Sequence, residues 1–291
     1  MIVITGPTGN IGHRVLAHVL TGDEPVRVVV RDPTRLPASV RDRVEVVQGS
    51  HGDPSVARRA LDGADTVFWL VAADRRALNP DEAFVGFTRP TAAALRDHGV
   101  RRVVTISALG RGTPVADRAG HVTGSLAMDD LLAGTGVALR VLACGSFMDN
   151  MLRQAASIKD RGVFFDILPP DFEQRLVAAR DIAAVASRLL LDPSWTGQEE
   201  IPLLGPEDLS YDEMAAIASD VLSAEVRYQQ ITPAALLSQL TDMSDGMAQA
   251  MHDMMTAKMN GLDNGVARTP QSAIDTPTTF REWCEQTLKP A

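Results

Sequence analysis

Six short β-branched runs separated by stretches of helical periodicity constrain this chain more than any other feature. "IVIT" (2–5), "VRVVV" (26–30), "VEVV" (44–47), "TVFWLV" (66–71), "RVVTIS" (102–107) and "ALRVLA" (138–143) are almost uninterrupted apolar runs. Such runs suit strands buried on both faces of a parallel sheet. Helical stretches lie between them at 10–21, 54–62, 82–98 and 119–134. Alternation at this spacing predicts βαβ units, an α/β fold and a doubly wound parallel sheet.

After about residue 150 the pattern loosens. "RDIAAVASRLLLDP" (180–193) reads as an amphipathic helix with a Pro stop, and "EEIPLLG" (199–205) as a short strand. "SYDEMAAIASDVL" (210–222) opens with Ser and acidic residues, a helix start, and a strand follows near 226–231. A Met-rich helical stretch covers 234–260 and a last helix lies near 278–288. The expected division is a nucleotide-binding domain at 1–150 and a smaller α/β substrate region at 151–291. Segments of about 176–204 are expected to return to the first.

Composition narrows the partners. A net charge of -9 without any basic run gives no support to a nucleic-acid surface. No apolar stretch approaches roughly eighteen residues and no basic segment precedes the apolar start, so neither a membrane span nor a signal peptide is expected. Cys144 and Cys284 are the only cysteines, which fits a reducing cytoplasm better than a disulfide framework. No His, Cys or carboxylate grouping has a zinc spacing, so no metal is expected.

"ITGPTGNIG" (4–12) closes the first strand and opens the first helix. Gly6 and Gly9 permit a tight turn against a diphosphate, Gly12 lets the helix pack on the sheet, and the helix start offers free N–H groups. Thr5, Thr8, Asn10 and Ile11 complete the expected cradle. Leu70, Val71 and Ala72 at the end of the fourth strand, and Cys144 and Gly145 after the sixth, complete the expected cofactor contacts. Arg31 stands where an acidic residue would accept a ribose 2′-hydroxyl, with Arg35 a helical turn on. Guanidinium groups favour a 2′-phosphate and thus NADP(H). Asp32 is adjacent, and a shift of one residue would favour NAD(H).

With "VVVRDPTRL" (28–36), "GVRRVVTISALG" (99–110), "GSFMDNML" (145–152), "ARDIAAVA" (179–186) and "LLGPEDLSYDEMA" (203–215), the chain resembles the NmrA-like group of atypical short-chain dehydrogenases/reductases over nearly its whole length. The resemblance implies a Rossmann domain with a smaller C-terminal region. It also implies either NADPH-dependent reduction of quinones and aromatic compounds or non-catalytic redox sensing through a protein partner. The group's Arg-Pro before the glycine of "GSF" is replaced by Ala143-Cys144.

Active short-chain reductases pair Tyr-x-x-x-Lys after a strand ending in Ser. Ser107 ends that strand here, but His121 and Ser125 stand in the helix that should carry the pair. The only tyrosines, Tyr211 and Tyr228, have no lysine four residues on. A histidine titrates near neutrality, so His121 is either the proton donor beside Ser107 or a residue that caps or packs at the start of its helix. A quinone lessens that demand. Reduced ketones give alkoxides (conjugate acid pKa about 15.7), whereas reduced quinones give phenolates (about 10), a difference of ~7 kcal/mol at 1.36 kcal/mol per unit. The sequence therefore favours a reductase of a quinone or polycyclic aromatic carbonyl, without flavin or metal, in secondary metabolism. A reduced ring reacting with O2 would make it a net oxygenase.

Phe147 and Asn150 are expected to line the substrate pocket. Methionines 243, 247, 251, 255 and 259 recur every four residues, with Met254 beside them. They are either core or an adaptable wall over a flat ring, in which Met251 and Met255 would take part. Asp129 and Asp130 read as a solvated helix face. A homodimer is compatible with the sequence.

Overall fold

A computed structural model describes residues 1–291. Two compact units emerge: Met1–Ala108, Thr123–Ala143 and Ile182–Ile201 form the first, and Leu109–Val122, Cys144–Asp181 and Pro202–Ala291 the second. Relative to a boundary at 150, the loop after Ala108 and the turn after Ala143 fall with the second unit, while Ile182–Ile201 falls with the first.

The first unit is built on strands β1 (Ile2–Thr5), β2 (Val26–Val30), β3 (Glu45–Gln48), β4 (Thr66–Trp69), β5 (Arg102–Ala108) and β6 (Ala138–Cys144). A seventh strand, Gln198–Leu203, borders β6, and the order across the sheet then runs β6, β5, β4, β1, β2, β3. Neighbours are parallel, with Ile2 opposite both Val26 and Thr66, Val28 opposite Val46 and Phe68 opposite Val104. Val3, Ile4, Val28, Val103 and Val104 are fully buried, as strands covered on both faces require. The order reverses between β1 and β4, so a crevice opens at their carboxyl ends. Thr5 fastens that point: its hydroxyl donates to the Phe68 carbonyl (3.0 Å) and accepts from the Leu70 N–H (2.9 Å). The returning segment is tied down by Arg140, whose guanidinium stacks 4.5 Å from the Trp195 ring centre and meets Glu199 at 3.2 Å.

The helix expected at 82–98 is not uniform. A π-helical turn over Asp81–Gly86 precedes an α-helix over Phe87–Asp97 that contains Pro90. Pro90 has no N–H and crowds the carbonyl four residues back, which is Gly86, where the wide turn ends.

The second unit holds a small sheet in the order Asp208–Leu209, Gln174–Val177, Ser146–Phe147, and a parallel pair, Val163–Asp166 with Arg227–Gln230. Phe164, Leu168, Tyr211, Met214, Phe280 and Trp283 belong to one core cluster. Helix Tyr211–Leu222 starts at a capping box between Ser210 and Glu213. The helical stretch expected at 234–260 is two helices, Pro233–Gln239 and Asp245–Met259. Ser244 ends the break by accepting the Met247 N–H at 3.2 Å, a capping signal that the apolar period concealed. No helix is long and apolar enough to cross a membrane.

Candidate dinucleotide site and substrate cavity

The glycine loop owes its shape to backbone contacts. Gly6 has φ +61°, and the Gly9 N–H donates back to its carbonyl at 3.1 Å. A Cβ on Gly12 would lie 2.0 Å from that same carbonyl oxygen, so only glycine fits there. Helix Asn10–Val19 begins at Gly9 with no side-chain cap, and its first N–H groups and positive dipole end stay available to an anion. Thr8 is half-buried, Gly9 and Asn10 are exposed and Ile11 is in the core. The exposed His13 ring turns back onto the Gly9 carbonyl through Nδ1 at 2.9 Å.

After β2 the charges separate. Asp32 Oδ1 accepts from the Thr34 N–H (3.0 Å) and hydroxyl (2.7 Å), and these bonds hold its carboxyl below the usual range. Arg31 and Arg35 are exposed. Leu70 follows β4, with Val71 half-buried and Ala72 exposed. The Leu70 carbonyl is held by His51, which the sequence reading passed over. Its Nε2 donates at 3.0 Å, and its ring meets Trp69 and Phe87 edge-on at 5.0 and 4.8 Å. Burial, aided by the Arg31 charge, pulls the His51 pKa down to about 4, so the ring is neutral at pH 7.

At the end of β5, Ser107 donates to Asp129 Oδ2 and lies 3.0 Å from the Ser125 hydroxyl. Asp129 is 1% exposed, which corrects its reading as part of a solvated face; Asp130 does face solvent. His121, Ser125 and Asp129 sit at i, i+4 and i+8 on helix His121–Ala133 and share one face. That spacing was the available signal for Asp129. The Ser107 proton is directed at Asp129, so toward a ligand Ser107 offers a lone pair rather than a donor. His121 is the half-buried first residue of its helix.

Cys144 is buried at the end of β6. The Gly145 N–H donates to the Leu203 carbonyl at 3.0 Å, and a Cβ there would meet the Arg175 carbonyl oxygen at 2.4 Å. These contacts account for a glycine at 145 by packing within the second unit.

That unit also contains a cavity of about 240 Å³ whose lining includes Phe147, Asn150, Met251 and Met255 together. Lys258, Asp166 and Tyr211 also line it, a placement the sequence did not signal. Lys258 donates to Asp263 Oδ2 at 2.5 Å and Ser146 Oγ at 3.1 Å. Asp166 accepts from the Tyr211 hydroxyl at 2.9 Å and the Ile167 N–H at 2.6 Å. Burial pushes the Asp166 carboxyl above its usual pKa and the Tyr211 phenol well above 10. The methionine stripe divides: Met247 and Met255 are buried, Met243 precedes the helix, and Met259 is 44% exposed. No group of three or more His, Cys, Asp or Glu side chains is placed to hold a metal ion.

An uncapped helix start, a loop that admits no Cβ at residue 12 and two exposed arginines after β2 fit a dinucleotide with phosphate groups. Together with the strand order they define a Rossmann-type dinucleotide-binding protein. Residues 6–193 match the NAD(P)H-binding family, and the chain belongs to it and is an oxidoreductase. It is 32% identical over 287 residues to a (4-alkanoyl-5-oxo-2,5-dihydrofuran-3-yl)methyl phosphate reductase of Streptomyces griseus, covering 97% of this chain and 96% of that one. It is 28% identical to an NAD(P)H azoreductase of Xenophilus azovorans over 98% and 97% of the two chains. An NADPH-dependent quinone oxidoreductase of Escherichia coli, solved with NADPH, shares the fold at a TM-score of 0.78 and 22% identity, covering 98% of each chain.

Proposed function

We propose that this oxidoreductase uses NADPH to reduce a quinone or polycyclic aromatic carbonyl. The observation that carries the substrate class is the cavity. Its wall combines Phe147, Phe164, Tyr211 and several methionines with a few polar groups. Flexible thioethers conform to a flat ring, and the polar groups can fix its oxygen substituents.

The bound dinucleotide supplies the hydride. The chain contributes binding, orientation and electrostatics. The N–H groups at the start of helix Asn10–Val19 take the diphosphate. Arg31 and Arg35 would take the 2′-phosphate, and the adjacent Asp32 turns its Oδ1 onto Thr34. The absence of a Tyr-x-x-x-Lys pair suits a product that leaves as a phenolate. Ser107 need not act as an acid for such a product, and its proton is directed at Asp129. The relatives named above are reductases of small molecules, which agrees with turnover rather than sensing.

NADPH oxidation against a panel of quinones, with and without oxygen, tests this reading. We expect oxidation with at least one fused-ring quinone, and an oxygen-dependent product if the reduced ring reacts onward. Arg31→Glu should weaken NADPH by roughly tenfold or more, as loss of a charge-assisted hydrogen bond implies, with NADH little changed. Tight NADPH binding without oxidation for any acceptor sinks the proposal.

A further inference from the structure

The cavity of the second unit joins its apolar wall to a buried cation. Met251, Met254, Met255 and Lys258 stand at i, i+3, i+4 and i+7 on helix Asp245–Met259 and line the cavity together. The Lys258 side chain is 11% exposed and its partner Asp263 14%. An ammonium carries three N–H donors. Two are directed at Asp263 and Ser146, and these bonds fix the position of Nζ at the wall.

We propose that Lys258 is the oxygen-binding residue of this cavity, donating its third N–H to a carbonyl or phenolate oxygen of a flat aromatic ligand. This rests on the aromatic substrate class proposed above and names the contact that selects it. Two other charged residues line the cavity. Arg153 is exposed, and Asp166 accepts from Tyr211 and two backbone N–H groups of the 166–168 turn. Neither is a donor held as Lys258 is, with its ammonium fixed by Asp263 and Ser146 beside the methionines of the wall. In such surroundings water screens a charged donor weakly, so its bond to an oxygen gains in strength. For a substrate that accumulates negative charge on oxygen during reduction, the same contact strengthens as the reaction proceeds.

The test is calorimetric binding to the full-length chain, without dinucleotide. The probe is 2-hydroxy-1,4-naphthoquinone, and naphthalene is the oxygen-free control. Lys258→Met keeps an unbranched side chain and should weaken the hydroxyquinone by roughly tenfold or more, leaving naphthalene unchanged. Asp263→Asn leaves the lysine in place but removes its countercharge, and should tighten the hydroxyquinone. That opposite sign separates the proposal from general damage, and it decides alone if Lys258→Met does not fold. Equal losses for both probes, no loss, no tightening in Asp263→Asn, or no binding of the hydroxyquinone by the wild-type chain overturns the assignment. NADPH oxidation run in parallel keeps the two readings apart. Lys258-dependent binding without oxidation leaves this contact standing and sinks the reductase substrate; oxidation with equal KM in wild type and Lys258→Met does the reverse.

Discussion

The glycine loop of the first unit and the cavity of the second are built from opposite materials. The loop is backbone: a positive φ at Gly6, a carbonyl that leaves no space for a Cβ at Gly12, and N–H groups at a helix start. Seven consecutive residues contain all of it. The cavity is side chains, drawn from segments near residues 146–154, 164–166, 174–176, 211–214 and 251–258. A backbone site is specified by where side chains are absent, and it tolerates almost no change. A site of flexible side chains is specified by volume and a few fixed polar atoms, and it should tolerate much.

The largest expected effect is at Gly12. In Gly12→Ala the new methyl would stand 2.0 Å from the Gly6 carbonyl oxygen, so the loop has to open. NADPH affinity should fall ~100-fold or more, equivalent to ~3 kcal/mol at 1.4 kcal/mol per tenfold. Binding of an aromatic probe without dinucleotide should stay within about threefold of wild type, within the scatter ordinarily seen for independent sites. A titration in which both ligands weaken together would break the contrast between the regions.

His51 sharpens the contrast within the first unit, because there a side chain supports a backbone element. Its pKa falls from 6.5 to about 4 on folding, chiefly through burial. The folded state therefore keeps the ring neutral while the unfolded chain takes up a proton below about pH 6.5. The stabilising contribution is complete above that pH and is lost as pH falls toward 4. It amounts to at most ~3 kcal/mol over that window. Denaturant unfolding of wild type and His51→Gln at pH 7 and pH 4.5 measures it as the difference between the two proteins. If wild type and variant lose equal stability on acidification, the ring is not held neutral.

How much of this was legible in the sequence follows the same division. β1, β2, β4, β5 and β6 came from apolar runs whose burial on both faces leaves a local trace, the edge strand β3 from two valines between exposed polar residues, and the loop from three glycines in strand-to-helix context. Phe147, Asn150, Met251 and Met255 meet in one cavity because two of them follow a strand end and two share a helical stripe. Lys258 lies on the same helix face three residues past Met255, but a charged residue beside a methionine stripe carries no apolar signal. Asp129 lay on the stripe of His121 and Ser125, where an acidic residue reads as solvent-facing until the strand beside it is placed. Asp166 and Tyr211 are 45 residues apart and had no local signal at all. The short elements of 146–177 were equally silent, since two- to four-residue strands carry too few residues to show a period.

The smallest expected effect is the most informative about the cavity. Met251 is half-buried at its wall, whereas Met255 also belongs to the core cluster of the second unit. Met→Leu conserves volume but replaces a flexible thioether with a stiffer branched chain. At Met251 the change should cost well under ~1.5 kcal/mol of stability. Its main consequence should appear across a panel of fused-ring quinones, whose dissociation constants spread apart as the wall loses its ability to conform. Met255→Leu carries the same chemical change into the core and should cost the more stability of the two, since repacking there disturbs neighbours on every side. Thermal unfolding of both variants, alongside the quinone panel, separates wall from core. A Met251→Leu protein that is the less stable of the pair and binds every quinone as wild type does would make the stripe core packing throughout. The second unit would then lose its claim to an adaptable site.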